Sequence, residues 1–170
     1  ERHFGENRAQ ELAGKAGELP EDISWHFVGP VQRRKVTVIR PLASLLHSLD
    51  RGALAASWAA GSPPVPPTLL EVNIGAEPQK HGVLPEDVDE TLATMRDLGV
   101  EPRGLMISPP VPAAPEDSRR WFAQLRHLRD GLLPNHPRLR ELSMGMTDDF
   151  EVAIEEGASM IRVGRAIFED

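Results

Sequence analysis

The stretch Glu141-Leu142-Ser143-Met144-Gly145-Met146-Thr147-Asp148-Asp149-Phe150-Glu151 decides how this chain is read. Leu142 and Met144 suit a short strand. Gly145 supplies a positive φ or lets another backbone approach closely. Thr147 or Asp148 is placed to cap a helix, and Asp148 with Glu151 forms a D-x-x-E capping pair. Phe150, Ala153 and Ile154 then fall on one helical face, and Gly157 ends the helix. A second unit, Met160-Ile161-Arg162-Val163-Gly164-Arg165-Ala166-Ile167-Phe168, repeats the order of strand, glycine and helix start. Two such junctions in succession set backbone N–H groups side by side, an anion site best suited to a phosphate. Glycines at βα turns occur in any α/β protein, so the turns alone leave a purely structural reading open. Arg162 adds weight to the phosphate reading, because a cation inside an apolar strand is costly without a partner.

Outward from these corners, strand and helix alternate about seven times. Helices are expected over Arg8–Ala16 (ended by Gly17), Gln32–Ile39, Arg51–Ala60 (capped by Asp50), from Leu84-Pro85 to Leu98, and over Glu116–Leu133. Strands are expected at the chain start, then at Ile23–Val28, Leu45–Leu49, Thr68–Ile74 and Arg103–Ile107. In the longest helix Trp121, Phe122, Leu125, Leu128 and Leu132 share a face. Alternation of this kind implies parallel strands joined by right-handed crossovers. An open doubly wound sheet and a (β/α)8 barrel both fit. Polar residues near strand ends (Asn7, His26, His47, Asn73, Ser143, Arg162) and phosphate-type turns after the last two strands favour the barrel.

Composition narrows the function. One hundred and seventy residues suit a single domain over 1–170. A net charge of −7 argues against a general nucleic-acid binder. Cysteine is absent, which excludes thiol nucleophiles and fits a reducing compartment. No apolar run nears the roughly 20 residues of a membrane span, and the charged opening residues carry no signal-peptide pattern. Of nineteen basic residues only Lys15, Lys35 and Lys80 are lysines. His26 and His47 end successive strands without a ligand partner at diagnostic spacing, so they read as hydrogen-bonded site histidines and no metal is expected. No nucleophile elbow, Walker loop or dinucleotide fingerprint occurs.

Seven ordered motifs carry a resemblance running nearly end to end. Phe4-Gly5-Glu6-Asn7, Trp25-His26-Phe27-Val28-Gly29 with Gln32 and Lys35, and His47-Ser48-Leu49-Asp50-Arg51 come first. Val72-Asn73-Ile74 with Lys80 and Gly82, and Arg103-Gly104-Leu105-Met106 with Pro109-Pro110, follow. Ser143 to Glu151, then Arg162-Val163-Gly164 with Ala166-Ile167-Phe168, complete the set. Together they resemble the pyridoxal-phosphate homeostasis protein family, the YggS/PROSC group. The resemblance implies a (β/α)8 TIM barrel of the alanine-racemase N-terminal type, bound pyridoxal 5′-phosphate, and a non-catalytic, cytoplasmic role in vitamin B6 homeostasis. It implies that the phosphate, or another phosphate or sulfate anion, sits on the backbone around Ser143-Met144 and Gly164-Arg165, with the Ser143 hydroxyl helping. Arg162 would face the pyridine nitrogen and Asn7 would flank the ring. Apo-enzymes that require the cofactor would be partners. A fold-type III racemase- or decarboxylase-like enzyme is the alternative.

The chain departs from the family at three points. The family's Schiff-base lysine precedes F-G-E-N, where this chain begins, so the expectation is a barrel lacking its first strand and flanking helices. No catalytic residue and no covalent lysine link are then expected within 1–170. The complete fold is expected to be a monomer, whereas open strand edges would invite association. The family's Q-x-N-K reads Gln32-Arg33-Arg34-Lys35, and Arg165 stands where the family has Thr.

Overall fold

The computed structural model describes residues 1–168. Its strands are β1 (His3–Glu6), β2 (Ser24–Phe27), β3 (Ala43–Leu49), β4 (Thr68–Glu71), β5 (Gly104–Met106), β6 (Glu141–Met146) and β7 (Met160–Arg162). The helices are α1 (Ala9–Glu18), α2 (Val36–Ile39), α3 (Gly52–Ala59), α4 (Val88–Asp97), α5 (Arg119–Leu132), α6 (Phe150–Glu155) and α7 (Arg165–Phe168). The strands form one sheet in sequence order, each parallel to the next.

That sheet is curled into a nearly closed barrel. His47 of β3 and Ser143 of β6 approach to 2.8 Å through their side chains. Three inter-strand steps in a flat sheet would separate them by about 14 Å. Two apolar clusters follow from the curl. The large one lies between sheet and helices and includes Phe27, Leu46, Trp58, Leu70, Leu105, Phe122 and Leu142. The small one, Leu45, Leu69 and Met106 with Met160 packed on it, draws on strands β3, β4, β5 and β7. Strand alternation puts residues two positions apart on the same face. His47, Glu71, Ser108 and Arg162 therefore stand directly above this apolar floor, towards the C-terminal ends of the strands.

Glycine is required where backbones close in. A Cβ on Gly29 would overlap the backbone of Asn7, and one on Gly104 would overlap the carbonyl of Glu141. Gly145 adopts φ of 91° within β6, where the pairing with β7 shifts register between Ser143 and Met146.

Several local expectations shift. The α6 cap is Asp149, not Thr147 or Asp148: its Oδ1 accepts from the Met146 N–H at 2.7 Å and its Oδ2 from the Ser118 hydroxyl at 2.7 Å. Its carboxylate ties the turn to another element instead of closing a D-x-x-E box. The buried face of α6 is Val152 and Ala153, while Ile154 is exposed. Helix α1 runs through Gly17 to Glu18. Arg51, not Asp50, precedes α3, and Asp50 pairs with the Arg51 guanidinium instead. The segments after Gln32, Leu84 and Ala114 begin as tight 3₁₀ turns before becoming α-helical. Strand β4 stops at Glu71, beyond which Val72 makes an isolated bridge to Val83.

Candidate functional site

The last two corners meet at the C-terminal end of the barrel. Among the described residues the amides of Thr147, Asp148 and Gly164 donate to no other protein group. Arg165, exposed at the start of α7, forms an ion pair with Asp148 and so spans the corners. A side chain at Gly164 would meet nothing within 4 Å, so space lies open there. Donor amides, open room and a nearby cation together suit a phosphate monoester.

Below them lies Arg162. Its Nη1 donates to Ser143 Oγ at 2.8 Å and its Nη2 to the Ile107 carbonyl at 2.8 Å, and Ser108 Oγ lies 3.5 Å from Nη2. Burial lowers its pKa to about 10, against the opposing pull of Glu71 and Asp149. It therefore stays cationic at neutral pH. Glu71 is its counter-charge. Burial and nearby Asp50 raise the Glu71 carboxyl to about 7, with Arg162 pulling the other way.

The histidines form a row. His47 Nδ1 sits 2.8 Å from Ser143 Oγ, and its Nε2 sits 2.9 Å from His26 Nδ1. His26 Nε2 sits 3.1 Å from His3 Nδ1. Burial, then the neighbouring His26 and Arg162, pulls His47 down to about 3. Burial, followed by His3, lowers His26 as well. Both nitrogens of His26 are taken by its neighbours, so the three rings cannot converge on one ion.

Of the residues singled out in sequence, Ser143 and Arg162 are brought into direct contact, and Gly164 and Arg165 lie two and three residues beyond the end of β7. Met144 points its side chain into the outer core and offers only backbone to the site. Asn7 is exposed just after β1, its backbone packed on Gly29. Among the described residues no hydrogen bond or ion pair joins Lys15, Lys35 or Lys80 to Ser143, Arg162 or either corner: Lys15 pairs with Glu6, and Lys80 with Glu77 and the Ser108 carbonyl. Sequence reasoning missed Glu71 and Ser108. Glu71 carried a readable signal, a carboxylate in the apolar run Leu69-Leu70-Glu71-Val72, of the same kind that marked Arg162.

No helix among the described residues is long and apolar enough to cross a membrane. No protein-family model matches the chain. The pyridoxal phosphate homeostasis protein of Aquifex aeolicus is 44% identical over 171 residues, covering 97% of this chain and 75% of that protein. PipY of Synechococcus elongatus has been solved without and with PLP. Its two structures superpose with TM-scores of 0.89 and 0.86 at 36% and 35% identity, covering 99% of this chain and 82% of theirs. Lysine/ornithine decarboxylase of Vibrio vulnificus, 16% identical with a TM-score of 0.73 over 97% of this chain and 50% of its own, shares the fold alone. By sequence identity across three quarters of its relative, and by a barrel superposing on PipY, the chain belongs to the pyridoxal phosphate homeostasis protein family.

Proposed function

We propose that this chain binds pyridoxal 5′-phosphate through its phosphate and serves vitamin B6 homeostasis as a non-catalytic, cytoplasmic carrier that supplies apo-enzymes. The observation that carries the reading is the pair of adjoining corners with unpaired amides directly above a half-buried arginine. The phosphoryl group rests on the backbone from Ser143-Met144 into the Thr147-Asp148 turn and on Gly164-Arg165. The Arg165 guanidinium is close enough to exchange Asp148 for it. Ser143 acts chiefly by anchoring Arg162, since its hydroxyl is fully buried and already engaged. Asn7 flanks the ring from β1.

Bound pyridoxal phosphate supplies an electron-accepting ring, whose strength depends on protonation of its nitrogen. Arg162, cationic and held from two sides, opposes that protonation. The ring is then a weak electron sink, which suits storage and hand-over better than turnover.

Pyridoxal, which lacks the phosphate, should bind less tightly. Losing charge-assisted hydrogen bonds costs about 1.5–3 kcal/mol, roughly ten- to a hundredfold in affinity. The amide signals of Thr147, Asp148 and Gly164 should shift on titration with pyridoxal phosphate. Amino acids added to the loaded protein should react no faster than with free cofactor. Equal affinity for pyridoxal, or shifts confined to another face, would overturn the reading.

A further inference from the structure

The row that ends on Arg162 has a direction. Each neutral imidazole carries one N–H, so a chain of such rings is bonded throughout in only two ways. His26 and His47 are both held neutral at pH 7 by burial. In one arrangement His47 Nδ1–H donates to Ser143 Oγ. That oxygen then takes two donors, because Arg162 Nη1 already points at it from 2.8 Å. The Ser143 hydroxyl hydrogen would need another acceptor, and Ser143 is fully buried with only His47 and Arg162 as partners among the described residues. In the other arrangement Ser143 O–H donates to His47 Nδ1, His47 Nε2–H to His26 Nδ1, and His26 Nε2–H to His3 Nδ1. Every buried donor is then paired. Every dipole also points its negative end towards the guanidinium, and successive bonds reinforce one another.

We infer that His47 is a positioning residue for Arg162: its unprotonated Nδ1 takes the Ser143 hydroxyl hydrogen, which turns the serine lone pair onto the guanidinium and fixes that group across the barrel mouth. The Ile107 carbonyl holds the other amino group at 2.8 Å, so the cation is gripped from the residue just after β5 and from β6 at once. The inference deepens the proposed function, since a fixed Arg162 is what keeps the ligand's ring nitrogen unprotonated.

Imidazole ¹⁵N correlation spectra of the unliganded protein at pH 7 test the direction without any cofactor. His47 and His26 are both expected as Nε2–H tautomers. His47→Asn keeps an acceptor near the Nδ1 position and should behave like the parent. His47→Leu removes the acceptor. It should weaken pyridoxal phosphate about two- to tenfold, the equivalent of one neutral hydrogen bond, and move the ¹⁵N signal of the labelled ligand's ring nitrogen towards the protonated position. An Nδ1–H tautomer at His47, or a His47→Leu protein that binds the ligand with unchanged affinity and ring signal, would overturn the inference. Failure of the parent protein to bind the ligand would instead count against the proposed function, and the tautomer spectrum would still decide the present point.

Discussion

Arg162→Leu is expected to cost about 3 kcal/mol of stability, the penalty for leaving the two buried groups it serves without their donor. The substitution strips the Ile107 carbonyl and Ser143 of a donor and leaves Glu71 facing the barrel interior without its cation. The deficit should depend on pH. Glu71 has a folded pKa raised to about 7 from the ordinary 4.5. A raised carboxyl contributes stability that is fully present below the unfolded value and is lost as pH rises through the folded one. In the parent that loss is complete near pH 7. Without Arg162 the carboxyl rises further and the loss continues to higher pH. Denaturant titrations should therefore show a larger gap between variant and parent at pH 8 than at pH 5. A gap independent of pH would mean that Glu71 and Arg162 do not sense each other.

Trp58→Ala should be comparably severe for a different reason. Trp58 lies on α3, fully buried in the large cluster, and its indole N–H donates to the Pro66 carbonyl at 3.0 Å. Arg40 holds the same region by donating to the Trp58 carbonyl at 2.7 Å and to the Pro64 carbonyl at 3.3 Å. Truncation opens a cavity and orphans a carbonyl, at about 3–5 kcal/mol. For a domain of this size that lowers the melting temperature by about 6–20 °C. The corners follow β6 and β7, whereas Trp58 follows β3, so the fraction that remains folded should bind ligand as the parent does. Thermal melts paired with a binding titration separate the two. A drop of only 1 or 2 °C would mean that the tryptophan is not the packing centre of this side of the barrel.

Most of the architecture was legible because it is written locally. Alternating apolar runs mark the strands, Gly99 and Gly157 stop helices with φ of 79° and 89°, and Phe122, Leu125 and Leu132 recur at helical spacing. The corners around Gly145 and Gly164 were legible for the same reason, and Arg162 stood out as a charge in an apolar strand. What escaped depends on distant partners. Asp149 caps α6 because Ser118, 31 residues away, takes its other oxygen. The row from His3 to Ser143 spans separations of 23, 21 and 96 residues, and it assembles only once the sheet curls. Glu71 bore the same local mark as Arg162, a charge in an apolar run, but no spacing rule connects the two, and their pairing escaped.

The central claim is that the two final corners grip a phosphoryl group while Arg162 faces the ring attached to it. A crystal structure of the protein soaked with pyridoxal 5′-phosphate tests this most directly. The expected result is a phosphoryl group on the amides of Thr147, Asp148 and Gly164, with the pyridine nitrogen turned towards the Arg162 guanidinium. Density for the ligand elsewhere, with both corners empty and Arg162 facing no ring, would contradict it.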